Sequence, residues 1–121
     1  MIYRVVVKSS FSSAHRVKLP NDEWEPLHGH NYNVEVCVRG DTLDKNGMLI
    51  DFFELREIIS EVISKLNYSY LNENKFFKDT VPTAENIAKF IFEEISNRIS
   101  MKVDYVKLWE TEEFGVIVSS D

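Results

Sequence analysis

The chain contains three histidines, His15, His28 and His30, all within one short stretch. Neutral imidazole is the commonest side-chain ligand for transition metals. Zinc takes nitrogen donors tetrahedrally, and a site with three protein ligands keeps its fourth position for water or substrate. That is the pattern of a catalytic zinc site rather than a structural one. His28 and His30 are two residues apart, so in an extended backbone their rings project to the same side. Gly29 between them adds no side chain and leaves room for close approach. His15 joins them if the segments flanking residues 16–27 pair as a hairpin. A lone His-x-His is a weak signal, shared with surface and hydrogen-bonded loop histidines. The third histidine, with no fourth in the chain, turns the balance toward zinc held by His15, His28 and His30. Cys37 sits mid-strand and reads as packing or surface rather than as a ligand.

Two carboxylates stand where they could serve such a site. Glu25, in Asp22-Glu23-Trp24-Glu25-Pro26-Leu27, lies three residues before His28. A carboxylate there could act as general base on a hydroxyl group activated by the metal. On spacing alone, a solvated acidic loop is the better reading of that run. Glu110 shares the parity of Val106 and Leu108 at the end of a strand. An inward carboxylate needs a partner, and a ligand with paired N–H donors would satisfy it. A strand that simply ends there would leave Glu110 wet, and both readings stand.

The elements that must position these groups follow from periodicity. Tyr3, Val5 and Val7 alternate with Arg4 and Lys8, a half-buried strand running toward Phe11. Tyr32, Val34, Val36 and Val38 alternate with Asn33, Glu35, Cys37 and Arg39 until Gly40-Asp41 ends the run. Residues 16–29 between them read as irregular. The period then becomes helical: Phe52, Leu55, Ile58, Ile59, Val62 and Leu66 form a stripe, with Asp51 placed as cap. Thr83 caps a second helix, where Glu85 favours the positive start and Ile87, Phe90, Ile91 and Ile95 make the stripe. Short strands over 103–110 and 116–119 close the chain. Strand, strand, helix, helix, strand, strand predicts an α+β fold with a four-stranded antiparallel sheet and both helices on one face. Such an open sheet has two edges, a reason to expect self-association.

Composition sets the outer bounds. A length of 121 residues suits one domain spanning residues 1–121, able to bury roughly two-thirds of its unfolded surface. With 44% hydrophobic and 28% charged residues, the chain is globular rather than disordered. Its net charge of −6 argues against a fold-wide grip on nucleic acid. A single cysteine, no basic-then-apolar leader and no apolar run of membrane length predict a cytoplasmic protein without a membrane partner.

Five segments together resemble the 6-pyruvoyl-tetrahydropterin synthase family, which includes the 6-carboxytetrahydropterin synthases. They are Phe11-Ser-Ser-Ala-His15, Leu27-His-Gly-His-Asn-Tyr32, Gly47-Met-Leu-Ile-Asp-Phe52, Pro82-Thr-Ala-Glu-Asn86 and Leu108-Trp-Glu-Thr111. They follow the family's order and cover almost the whole chain. The resemblance implies a tunnelling fold assembled into trimers, and commonly into hexamers, with active sites between subunits. It implies zinc on the three histidines, Glu110 as anchor for the N–H edge of a dihydropterin, and Thr83 near the ring or a subunit boundary.

Two departures bear on the reaction. The family's cysteine stands four residues before the first histidine of His-Gly-His, and that position here is Trp24. The family's Asp-His pair is replaced by Asn67-Tyr68. One branch of the family carries glutamate close to His-Gly-His and resembles a dihydroneopterin aldolase, and Glu25 fits it. The reaction this implies is retro-aldol cleavage to 6-hydroxymethyl-dihydropterin, with Glu25 as base and Tyr68 as the substitute proton donor. A phenol of pKa about 10 is a poor acid or base near neutrality unless perturbed. The alternatives are the pyruvoyl or carboxy synthase reaction on dihydroneopterin triphosphate, and a zinc- and pterin-binding protein without catalysis.

Overall fold

The computed structural model describes residues 1–120. Two long strands, β1 (Tyr3–His15) and β2 (His28–Gly40), form the antiparallel hairpin that dominates the fold. Helix α1 (Phe52–Ser64) follows, then a two-residue strand β3 (Ser69–Tyr70) and two short 3-10 turns. Helix α2 (Ala84–Ser96) leads into β4 (Lys102–Trp109) and β5 (Gly115–Val118). The sheet order is β3-β1-β2-β4-β5. It therefore has five strands and is mixed, correcting the expected four antiparallel strands. The extra strand is β3, which runs parallel to β1 and pairs only at Ser13 and Ala14. Two residues carry no alternation, so their pattern cannot announce a strand.

Both helices start where their caps are. Asp51 accepts from the N–H groups of Phe53 (2.7 Å) and Glu54 (3.4 Å), and Thr83 from that of Asn86 (3.2 Å). Leu55, Ile59, Val62 and Ile63 of α1 and Ile87, Ala88, Ile91 and Ile95 of α2 are buried. They join one core with Tyr32, Val34, Val36 and Val38 of β2 and Val103, Val106 and Leu108 of β4. Phe52 opens the predicted stripe but points to solvent at the helix start, while Leu66 is buried just past its end. Cys37 has the opposite parity yet is also buried, and burial raises its thiol pKa. No helix is long and apolar enough to cross a membrane.

The core matters to the site because it fixes strand register. Phe11 stacks on Tyr32 across the hairpin, with ring centroids 4.8 Å apart. In that register His15 stands directly opposite His28, and Ser13 opposite His30. A slip of one residue would send every histidine to the other face.

Candidate metal centre

The strand ends bring the three imidazoles together. Ring centroids lie 4.8 Å apart for His15 and His28, 5.3 Å for His15 and His30, and 4.7 Å for His28 and His30. One nitrogen from each can be chosen so that all three lie within 4.8 Å of one another. Second partners decide which nitrogens those are. His15 Nδ1 is 2.8 Å from the Pro82 carbonyl oxygen, and His28 Nδ1 is 3.0 Å from that of Pro26. A carbonyl oxygen only accepts, so each Nδ1 carries a proton, and Nε2 is the nitrogen left for a metal in the neutral tautomer. Tyr32, buried beneath, brings its hydroxyl to 3.3 Å from His15 Nδ1. His30 Nε2 is buried without a hydrogen-bond partner. An orphaned buried nitrogen beside two oriented imidazoles is the arrangement a metal ion completes.

Electrostatics point the same way. Burial lowers the pKa of His30, outweighing the opposing pull of Glu110, and the neighbouring histidines lower it further. The ring is thereby held neutral, the form that ligates. Burial, with the nearby carboxylates Glu110 and Glu25, raises the Tyr32 phenol well above its ordinary value, so it stays protonated.

Both candidate carboxylates reach the centre. Glu110 lies just past β4, with its oxygens 3.6 Å from His15 Nε2 and 3.9 Å from His30 Nε2. It is neither stranded in solvent nor locked in the core. It also lines a cavity of about 280 Å³ with Thr83, Glu85, Val17 and Phe114. The two residues expected to bind substrate thus share one cavity.

Glu25 is placed by a feature that periodicity did not reveal. The expected irregular stretch contains a small hairpin. Lys18 bridges Trp24, Glu25 N–H donates to the Val17 carbonyl at 3.1 Å, and Leu19 N–H donates to that of Glu23 at 2.8 Å. Its turn passes through Asp22 at φ 66°, a left-handed conformation that Asp tolerates better than most residues. Alternation then sends Trp24 outward, where Arg16 and Lys18 lie 5.0 and 5.6 Å from its ring centroid. Glu25 turns inward: its Oε1 accepts from Val17 N–H at 3.0 Å and lies 3.6 Å from His28 Nε2.

Tyr68 is not brought to the imidazoles within the chain. It is 87% exposed at φ 54°, its N–H donating to the Ser12 carbonyl at 2.6 Å. It lines a groove of about 530 Å³ with Ser12, Ala14, Gly29 and Asn31, which His30 also borders. A Cβ on Gly29 would meet only the Ser13 carbonyl, at an ordinary 3.6 Å, so the chain itself makes no use of the missing side chain. Asn67 is structural, accepting from Ser12 N–H at 3.0 Å.

Sequence reasoning missed the carbonyls of Pro26 and Pro82 and the hydroxyl of Tyr32. The segment 81–86 is a bracket for His15 as well as a helix start. Val81 accepts from Thr83 N–H at 2.8 Å and from Asn86 Nδ2 at 2.9 Å, which sets the Pro82 carbonyl toward the ring. A Pro-Thr-Ala-Glu-Asn run far from any histidine was the available signal.

The sequence profile of the 6-pyruvoyl tetrahydropterin synthase family matches residues 4–121. A dihydroneopterin monophosphate aldolase of Pyrococcus furiosus is 39% identical over 115 residues, covering 93% of this chain and 94% of that protein. A 6-pyruvoyl tetrahydrobiopterin synthase of Poecilia reticulata is 32% identical over 123 residues, covering 89% and 84%. The solved structure of Caenorhabditis elegans 6-pyruvoyl tetrahydropterin synthase superposes with a TM-score of 0.86 at 27% identity, covering 100% of this chain and 97% of that one.

Proposed function

Because the chain belongs to the 6-pyruvoyl tetrahydropterin synthase family, we propose that it is a zinc-dependent lyase acting on the side chain of a dihydropterin. The reaction is aldolase-like: dihydroneopterin, free or as a phosphate ester, gives 6-hydroxymethyl-dihydropterin. One observation carries this reading. Glu25 is the carboxylate held on the rim of the histidine cluster, 3.6 Å from His28 Nε2, while the position of the family's cysteine faces outward as Trp24. The name of the Pyrococcus relative, an aldolase, supports it. The synthase reactions lack their usual groups, since Trp24 stands at the cysteine position and Asn67-Tyr68 replace the Asp-His pair.

Zinc held by His15, His28 and His30 would supply Lewis acidity toward the hydroxyl oxygens of the side chain. Glu25 takes the proton of the C2′ hydroxyl. As the C1′–C2′ bond breaks, C2′ becomes the carbonyl carbon of the departing two-carbon aldehyde. The electron pair left on C1′ passes into the adjacent C=N bond of the dihydropterin ring. Return of the proton to C1′ yields the hydroxymethyl product, so nothing is oxidised or reduced overall. Glu110 holds the ring by accepting from two of its N–H groups, with Thr83 lining the same cavity. The proximity of both carboxylates to the imidazoles supports a pose with the ring's side chain beside the base.

The protein acts as a homo-oligomer built on trimers, a hexamer when complete. Support comes from the sheet edges: β3 covers β1 only at Ser13 and Ala14, and β5 is four residues long. In such an assembly the exposed Tyr68 would serve the site of a neighbouring copy. The test is to incubate zinc-loaded protein with dihydroneopterin, its monophosphate and its triphosphate, and to separate the products by chromatography. The expected products are 6-hydroxymethyl-dihydropterin and glycolaldehyde or its phosphate. A pyruvoyl or carboxy product would overturn the aldolase assignment.

A further inference from the structure

Phe114 is large and apolar, yet 64% exposed, and it stands in the wall of the cavity that contains Glu110 and Thr83. It is not a loose loop tip. Glu110 N–H donates to the Phe114 carbonyl at 3.0 Å, and Phe114 N–H donates to Thr111 Oγ1 at 3.0 Å. The same Oγ1 accepts from Glu113 N–H at 3.2 Å. Gly115, next in the chain, lies so close under Trp109 that a Cβ would meet its ring at 2.5 Å. The turn therefore locks Phe114 and Glu110 into one unit. No aromatic ring or cation among the described residues packs on Phe114, and it lies outside the core.

An exposed ring on a backbone pinned beside a binding carboxylate suits a flat heteroaromatic ligand with an N–H edge. The edge goes to Glu110 and a π-face is left for an aromatic partner. Val17 and Val116 line the rest of the cavity with apolar surface. We infer that Phe114 is a substrate-binding residue that stacks on the face of the pterin ring anchored by Glu110. The inference rests on the pterin reading above. It assigns ring recognition to two residues of one turn, a carboxylate for the edge and a phenyl for the face. Stacking of bases on aromatic side chains translates into about a 5- to 150-fold loss of affinity on truncation to alanine.

The experiment titrates zinc-loaded protein with 6-hydroxymethyl-7,8-dihydropterin, followed by its fluorescence, for wild type and for Phe114→Ala, Phe114→Leu and Phe114→Trp. Phe114→Ala should bind about 5- to 150-fold more weakly. Phe114→Leu should recover little and Phe114→Trp most of the loss, with zinc content and melting temperature unchanged in all three. In turnover, KM should rise with kcat nearly constant. Binding by Phe114→Ala within about twofold of wild type, an effect well below the stacking range, overturns the inference alone. Full recovery by Phe114→Leu does so too, because apolar cover would then suffice. Wild-type protein that binds no pterin overturns the proposed function, and this inference with it.

Discussion

Replacing Glu25 with glutamine removes one charge and almost nothing else. The side chain keeps its length, and its amide oxygen can still accept from Val17 N–H, the 3.0 Å bond that holds the loop closed. Converting that charge-assisted hydrogen bond to a neutral one should cost about 1 kcal/mol of stability. The three imidazoles are untouched, so zinc should remain at one per chain. What disappears is the proposed proton acceptor, the carboxylate 3.6 Å from His28 Nε2. Loss of a general base costs about 10²–10⁴ in rate, or roughly 3–5.5 kcal/mol in the barrier. Glu25→Ala is the companion variant. It also strands the Val17 N–H, adding about 1–3 kcal/mol of destabilisation without a larger kinetic effect. The assay measures initial rates of 6-hydroxymethyl-dihydropterin formation, with zinc analysis and thermal melts on the same samples. A fall in kcat shared by both variants, with destabilisation confined to alanine, is the expected outcome. Turnover by Glu25→Gln within a few-fold of wild type would refute the assignment of the base. So would a rate loss that merely tracks lost zinc.

Four further outcomes follow from the same geometry. His28→Ala should lose bound zinc, since it removes a ligand whose Nε2 is presented by the Pro26 carbonyl; equal metal content in variant and wild type would exclude the centre. Glu110→Gln should weaken pterin binding by about 2–4 kcal/mol in a direct titration, with zinc retained; unchanged affinity would remove Glu110 from ring recognition. Light scattering at micromolar concentration should report a multiple of three chains, and a monomer would exclude the assembly. The Tyr105 hydroxyl, 2.6 Å from Glu35, is the main cause of a carboxyl pKa held below its ordinary value, with Lys107 assisting. A depressed carboxyl pKa contributes stability above the ordinary carboxylate range and loses it as pH falls through the lower folded value. The stability gap between wild type and Tyr105→Phe, read from urea midpoints, should therefore narrow in acid; a constant gap would sever that linkage.

Much of this protein was legible in local pattern. Alternation along residues 3–8 and 32–39 is enough to define a strand and its buried face, because the pleat has a period of two. The stripes ending at Leu66 and Ile95, with Asp51 and Thr83 as caps, announce the two helices in the same way, although the first helix stops at Ser64. The histidine cluster was legible for the same reason. His28 and His30 share a parity, and a hairpin is the shortest way to return His15 to them. Each of these signals is carried by residues close together in the chain.

Other features depend on contacts between distant segments, which no local period records. The two-residue strand β3 exists only because the chain after α1 passes along β1 at Ser13 and Ala14. His15 is oriented by a carbonyl 67 residues away, and Glu110 reaches the imidazoles only when β4 docks beside β2. The side to which Glu25 points depends on the hydrogen bonds of a nine-residue hairpin, where a shift of one position would exchange it with Trp24. Tyr68 is left exposed beside the end of β1, in a groove that His30 also lines, because its backbone bonds to Ser12. Residue type limits what a side chain can do chemically, and long-range packing determines which groups it meets.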